Sequence, residues 1–495
     1  MTARGGVDPV WSGFATGETS AAEIAEASIR QVERLDPSLN AFLSRDDSSL
    51  RSMAERLDEK RARGLTLGRL AGMPIAVKDA LVTRGLRTTA GSRALEAYLP
   101  PYDAAVVERI RAEDALIVGK TNMDEFGMGS STAHSAFGPT RNPWDLGRSP
   151  GGSSGGSAVA VAARMTPVAL GSDTGGSIRQ PAAFTGVVGI KPTYGRVSRY
   201  GLIAFGSSLD QVGPFATSAA DAARVLSLIA GHDRRDATSV DLPVPDYESS
   251  CRASVRGLKI GVPVEYFARG LAPEVEASIR ASIARLEADG VTVRSLSLPH
   301  TAHAVAAYYV LATAEASSNL ARFDGVRYGL RVLPTLSTGG ANVADALRGM
   351  YGATRDRSFG AEVKRRILLG TFVLSAGYYD AYYRRAEAVR ALIRRDFERA
   401  FVEVDAIVSP TYPTTAFALG AHADDPLAMY LGDAYTLPAS LAGLPAISVP
   451  VAPAPDGLPI GLQVIGPAFR EEVLFAIASA IEASTPARIP PMAVE

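Results

Sequence analysis

Short apolar runs of strand length alternate with longer amphipathic stretches along nearly the whole chain, and this alternation limits the fold more than any other feature. Met73–Val77, Leu116–Val118, Val168–Leu170 and Val187–Ile190 read as buried strands. Ser20-Ala21-Ala22-Glu23 has capping-box spacing ahead of a helix that ends near Arg34, and Ala104–Ala112 reads as another helix. After a polar stretch around Asp233–Gly257 the alternation resumes with strand Leu258–Val262, helix Pro273–Asp289 and strand Val291–Leu296. A helical region follows from Ala302, with an irregular piece at Leu336–Asn342. Ala406–Ser409, Ala446–Val451 and Gly461–Ile465 complete the strand set, and a last helix starts at Glu471. Strands alternating with helices predict an α/β fold, a mixed β-sheet core covered by helices. No fixed-period repeat is present.

Composition narrows the function classes. With 51 Lys+Arg against 52 Asp+Glu, the net charge of −1 argues against a protein that grips nucleic acid by its own field, though not against RNA handled by a partner. The single cysteine, Cys251, excludes an internal disulfide framework and a thiolate metal cluster. Met1–Glu18 lacks a basic start followed by an apolar run, and the apolar stretch Ala304–Ala314 is too short to span a bilayer. A soluble, cytoplasmic protein without a membrane contact is expected.

Glycine is concentrated. Residues 127–213 hold 17 of the 47 glycines, together with Ser149, Ser153, Ser154, Ser157, Ser172 and Ser177. A flexible linker has such a composition, but here the clusters alternate with core segments such as Ala158–Ala163 and Pro167–Gly171. Glycine in that setting lets backbone amides approach a ligand closely. Three chemistries compete for the window. Gly119-Lys120-Thr121 resembles the end of a phosphate-binding loop, yet the position that needs glycine is Asp114, whose carboxylate would repel phosphate. Gly151-Gly152-Ser153-Ser154-Gly155 fits a nucleophile elbow, but polar, proline-broken residues precede it where a strand is required, and no histidine lies in an evident catalytic loop. The third reading pairs Asp173-Thr174-Gly175-Gly176-Ser177, at the end of strand Val168–Leu170, with an unusual lysine. Only six lysines stand beside 45 arginines, and Lys78 ends the apolar strand Met73–Val77. A buried amine can lose its proton near neutral pH and act as a base, which a guanidinium cannot.

The third reading resembles the amidase signature family. Pro150-Gly151-Gly152-Ser153-Ser154-Gly155-Gly156-Ser157 and Gly171-Ser172-Asp173-Thr174-Gly175-Gly176-Ser177-Ile178-Arg179-Gln180-Pro181-Ala182 look like its two signature blocks. Lys78 and Ser177 lie 99 residues apart and Ser153 and Ser177 lie 24 apart, spacings that fit the family's Ser–cis-Ser–Lys triad. The resemblance implies the amidase signature fold over residues 1–495 as one domain, with a catalytic core at about 65–215 and a helical substrate-side region at about 300–400. It further implies that Lys78 is the base, Ser153 the relay after a cis peptide bond and Ser177 the nucleophile. The amides of Thr174, Gly175, Gly176 and Ser177 would hold the oxyanion.

Further blocks resemble one branch of that family, the ammonia-releasing subunits of glutamyl-tRNA(Gln) amidotransferases. They are Ser317–Gly329, Glu362-Val363-Lys364-Arg365-Arg366-Ile367, Gly377–Tyr383, Asp425-Pro426-Leu427-Ala428-Met429-Tyr430 and Leu441–Pro445. Membership of that branch implies glutamine as substrate, bound by Tyr308, Arg355 and Asp425. It also implies ammonia delivery within a heterotrimer containing B-type and C-type subunits, with Glu-tRNA(Gln) engaged through the complex. No cofactor or metal is implied for this chain; ATP and magnesium would be used by its partner. The alternative is a stand-alone amidase-signature hydrolase of other small amides.

Overall fold

The computed structural model describes residues 6–267, 270–333, 343–422 and 425–493. Eleven strands occur among them: β1 (Phe42–Arg45), β2 (Pro74–Lys78), β3 (Leu116–Thr121), β4 (Val168–Asp173), β5 (Val188–Lys191), β6 (Gln211–Ala216), β7 (Lys259–Pro263), β8 (Thr292–Leu296), β9 (Ala406–Pro410), β10 (Ala446–Pro450) and β11 (Gly461–Ile465). They form one sheet in the order β1-β3-β2-β4-β6-β5-β10-β11-β9-β7-β8. The triplets β3-β2-β4 and β9-β7-β8 are parallel, and the strands between them pair antiparallel. The sheet is therefore mixed, as the alternation predicts.

Helices cover both faces, and the strands show why. Ile75 and Val77 of β2, with Val168 and Leu170 of β4, enter a core with Ile110, Val225, Leu226 and Ile477. The intervening Ala76 and Ala169 point to the other face, against Ile29, Val32, Val159 and Val161. A strand apolar on both sides of its period-two pattern has to be buried on both sides. Farther along the sheet, the second face carries the helix Ala304–Leu320, packed through Leu311 against Leu437, Ile393 and Phe397.

Several elements differ from the sequence reading. β3 and β4 run on to Thr121 and Asp173, because their polar ends are buried at the site. β1 has no counterpart in that reading; it is short and pairs only with β3 across a register shift. β6 is hidden by Gly213 and Pro214, which interrupt its apolar pattern. The first capped helix continues through Pro37 to Leu39, where Asn40 terminates it in a left-handed conformation. The region after Ala302 resolves into helices Ala304–Leu320, Val343–Ser358, Ala361–Leu374 and Tyr379–Glu403. The irregular piece expected at Leu336–Asn342 lies outside the described residues.

Candidate active site

Parallel pairing puts the carboxyl ends of β2 and β4 side by side, with Val77 opposite Leu170. Lys78 ends the first strand, and the second runs into the loop that holds Ser177. Lys78 is wholly buried, and its Nζ lies 2.8 Å from Ser153 Oγ, 2.7 Å from Ser154 Oγ and 3.0 Å from Ser172 Oγ. Burial lowers its pKa to about 7, against the opposing pull of Asp124, Asp173 and Asp210. Hydrogen accounting shows one arrangement open to the amine. Ser154 Oγ donates its proton to the Ser172 carbonyl at 3.0 Å, so it accepts an N–H from Lys78. Ser172 Oγ takes a second N–H. A neutral amine has two N–H groups and one lone pair, so with Ser154 and Ser172 as acceptors the lone pair is open to Ser153.

The Gly152–Ser153 peptide bond is cis. A Cβ on Gly152 would stand 2.1 Å from Asp124 Oδ2 and 2.6 Å from the Ser131 nitrogen, so the turn bearing Ser153 admits only glycine there. Asp124 in turn accepts from the backbone N–H groups of Ser131, Thr132 and His134. The Gly152 N–H donates to Gln180 Oε1 at 2.9 Å.

Ser177 is buried beside this turn, its carbonyl accepting from the Ser154 N–H at 3.2 Å. Its Oγ makes no hydrogen bond among the described residues. Asp173, at the end of β4, shapes the loop. Burial works against its charge, but Arg179, bound through Nε and Nη2 at 3.0 Å each, holds its carboxyl below the usual range. Asp173 also accepts from the Gly176 and Ile178 N–H groups. This narrows the expected oxyanion set: Gly176 N–H is already bound to Asp173 at 2.8 Å. The N–H groups of Thr174, Gly175 and Ser177 make no hydrogen bond among the described residues and remain available.

The substrate side departs further from the sequence reading. Tyr308 lies against the loop, since a Cβ on Gly175 would be 2.7 Å from its ring Cζ. Arg355 and Asp425 are not brought to it. Arg355 is half-buried, donates to the Leu320 carbonyl and lies over Phe359. Asp425 is exposed and caps the helix Pro426–Gly432 by accepting from the Ala428 N–H. The charges at the site are instead Arg366 and Asp433. Arg366 is 2% exposed, with its guanidinium over the rings of Tyr309, Tyr430 and Phe205. Its Nε donates to Glu362 Oε1 at 2.7 Å, while Nη1 and Nη2 make no hydrogen bond among the described residues. Asp433 is buried without a cation in contact among the described residues. It accepts from Ser130 Oγ at 3.0 Å and Tyr309 Oη at 3.1 Å, and burial raises its pKa to about 7. Thr436 ties this segment to the loop, its Oγ1 donating to the Gly175 carbonyl at 2.6 Å. Both residues left sequence signals. Arg366 sits in the quoted block Glu362–Ile367, and Asp433 is a lone charge between Leu431-Gly432 and Ala434.

A buried amine poised to take a proton from a serine, next to a strand-end loop with free amides, is apparatus for attacking an acyl carbonyl. The sequence profile of the amidase family matches residues 23–475, and the chain belongs to that family. Among curated relatives, the glutamyl-tRNA(Gln) amidotransferase A-type subunit of Myxococcus xanthus (strain DK1622) is 56% identical over 469 residues, 95% of each sequence. Its counterpart of the same name from Moorella thermoacetica (strain ATCC 39073 / JCM 9320) is 57% identical, covering 94% of each. The crystal structure of the Thermotoga maritima glutamyl-tRNA(Gln) amidotransferase A-type subunit superposes with a TM-score of 0.78 at 43% identity, over 94% of this chain and 92% of that one. A peptide amidase solved with the competitive inhibitor chymostatin gives 0.82 at 33% identity, over 99% of each.

Proposed function

We propose that this chain is the glutamine-hydrolysing subunit of a glutamyl-tRNA(Gln) amidotransferase. The observation that carries the choice of substrate is the pair Arg366 and Asp433, two buried ionisable side chains beside the nucleophile loop: Arg366 meets Glu362 through Nε alone, and Asp433 has no cation in contact among the described residues. Free glutamine is an α-amino acid with an amide at its far end. Its carboxylate matches the unengaged Nη1 and Nη2 of Arg366 in a fork, and its ammonium matches Asp433. A simple amide would leave Nη1 and Nη2 of Arg366 and the Asp433 carboxyl without a partner of opposite charge, Arg366 keeping only its Nε contact with Glu362.

In this reading Ser177 Oγ attacks the side-chain carbonyl carbon. Its proton passes to Ser153 Oγ as the Ser153 proton passes to the Lys78 lone pair. The amides of Thr174, Gly175 and Ser177 hold the tetrahedral oxyanion. Collapse breaks the C–N bond, and the proton returns through Ser153 to the departing nitrogen, which leaves as ammonia. Water attacks the γ-glutamyl ester by the same relay and frees glutamate. Residues of the 65–215 region supply the reacting groups, and the helices of the 300–400 region, with Asp433, hold the substrate.

The high identity to A-type amidotransferase subunits over nearly their whole length supports an assembly with two further subunits. Those subunits would activate the tRNA-borne carboxylate with ATP and magnesium and receive the ammonia. A net charge of −1 agrees with tRNA being held there. No helix among the described residues is long and apolar enough to cross a membrane, and a tRNA substrate agrees with a reaction in the cytoplasm.

A stand-alone hydrolase of other amides is the second reading, favoured by the higher TM-score of the peptide amidase. Fold likeness does not separate the two, because both have the same sheet and serine loop; the Arg366–Asp433 pair favours the first. Glutaminase activity of the chain alone and with the partner subunits, ATP and charged tRNA decides between them. Activation by the partners supports the amidotransferase. Fast hydrolysis of simple amides, indifferent to all additions, supports the stand-alone enzyme.

A further inference from the structure

Glu125 is a buried carboxylate outside both the proton relay and the substrate clamp. It is 2% exposed and opens the short turn Glu125–Gly127. On one side that turn borders the relay. The Asp124 N–H donates to the Ser153 carbonyl at 3.2 Å, and a Cβ on Gly127 would stand 3.6 Å from Ser153 Oγ. On the other side Glu125 reaches the helix Ala361–Leu374, which carries Arg366. Its Oε2 accepts from the N–H of Gly360, the residue just before that helix, at 2.8 Å. Its Oε1 accepts from Ser92 Oγ, which also lies 3.2 Å from the Ser358 carbonyl at the end of the helix Val343–Ser358. One carboxylate and one hydroxyl therefore grip the junction of two helices.

The surroundings hold this grip closed. A Cβ on Gly360 would stand 2.6 Å from Glu125 Oε2, so any larger residue there pushes the carboxylate off the junction. Phe126 has a φ of 49°, a left-handed conformation that a bulky residue rarely adopts, and its ring meets Phe323 at 4.8 Å and Phe359 at 5.7 Å. Ser92 Oγ has one proton and two acceptors in reach. An ionised Glu125 takes that proton. A neutral Glu125 donates its own to Ser92 Oγ and frees the Ser92 proton for the Ser358 carbonyl. The clasp closes in either state, so it needs the shape of the carboxyl group and not its charge.

We infer that Glu125 is a positioning residue for the substrate clamp: by tying the start of the Arg366 helix to the turn beside Ser153, it sets the reach from the guanidinium fork to the serine relay. Gly360 and Arg366 are six residues apart, about 9 Å along one helix, so a shift at the junction is carried to the fork. Glutamine has a fixed span between its carboxylate and its amide carbon, and a fork held at that span binds it without first being ordered. The inference rests on the functional reading above, in which Arg366 holds the substrate carboxylate.

The test measures kcat and KM for glutamine on the full chain, assembled with its partner subunits, as wild type, Glu125→Ala, Glu125→Gln and Gly360→Ala. Thermal melting and sedimentation verify fold and assembly. Glu125→Ala is expected to raise KM at least tenfold with kcat within about threefold of the wild type. Glu125→Gln, whose amide oxygen accepts from Gly360 and whose amide N–H donates to Ser92, is expected to stay within about threefold in both constants. Gly360→Ala displaces the carboxylate without removing it and is expected to raise KM in the same direction, which keeps the test decisive if Glu125→Ala does not fold. An unchanged KM in the disrupting variants that fold overturns this inference. So does a fall in kcat at unchanged KM, which would place the action of Glu125 on the serine turn, and so does a Glu125→Gln enzyme as impaired as Glu125→Ala. Each of these leaves the functional reading standing, because the wild type still hydrolyses glutamine. A wild type that hydrolyses no glutamine, or an Arg366→Ala variant with unchanged KM, overturns that reading and this inference with it.

Discussion

Among the described residues Lys78 has three serine hydroxyls around its nitrogen and no carboxylate in contact, and burial brings its pKa to about 7. Catalysis in the proposed relay needs the free amine, so the sign of the pH dependence follows. Below about pH 7 Lys78 is protonated and cannot accept from Ser153; above it the amine is free. kcat for glutamine is expected to rise with pH through a midpoint near 7, with a limb of about tenfold per unit on the acid side, while kcat/KM also carries the Asp433 ionisation near 7 and falls more steeply there. Lys78→Arg is expected to abolish hydrolysis, since guanidinium stays charged, and to lower the melting temperature, since among the described residues the buried site puts no carboxylate against that charge; circular dichroism checks that the variant folds. A pH-independent rate, or an active Lys78→Arg variant, contradicts the neutral-lysine base. On the substrate side, Arg366→Ala is expected to raise the glutamine KM by an amount equivalent to about 2–5 kcal/mol, while Arg355→Ala leaves it within about threefold. Steady-state kinetics on glutamine separates the two arginines. What is legible at this scale is oddity. Lys78 is rare for its type and Ser153 and Ser177 stand in glycine clusters, but Arg366 is one of 45 arginines, and only its burial among the rings of Tyr309, Tyr430 and Phe205 sets it apart from the half-buried Arg355.

Strands β2 and β4 are readable in sequence because they are apolar on both faces, and they are the two that present Lys78 and the Ser177 loop. β6 is not, since Gly213 and Pro214 sit where a side chain or an N–H would advertise a strand; at Gly213 a Cβ would lie 2.0 Å from the Ile190 carbonyl oxygen, so the register with its neighbour requires that gap. The same argument gives a test at the turn between core elements. Gly152→Ala puts a methyl against Asp124 and two backbone nitrogens, and it is expected to lower stability by about 1–3 kcal/mol and to remove activity by displacing Ser153. Gly352→Ala, inside the helix Val343–Ser358 with nothing within 4 Å, is expected to stabilise by up to about 1 kcal/mol through helix propensity. Denaturant unfolding of both variants reads the contrast. A Gly152→Ala protein as stable and active as the wild type would mean the turn yields more than this packing allows.

Across the whole molecule, one eleven-stranded sheet holds the reacting groups at strand ends and leaves the substrate clamp to helices and a segment far along the chain. That division explains how legibility falls off. Local pattern reveals the sheet and the serine loop, whereas Asp433, Ser130 and Tyr309 meet only through tertiary packing across 303 and 124 residues of sequence. It also frames the central claim, that this chain is the ammonia source of a larger enzyme. The most direct test is amide transfer by the assembled complex carrying Ser177→Ala, given ATP, magnesium and glutamyl-tRNA(Gln), with either glutamine or an ammonium salt as nitrogen donor. The account predicts that glutamine no longer supports transfer while ammonium still does, at the rate ammonium sustains in the wild-type complex. Glutamine-driven transfer persisting in that variant would contradict it.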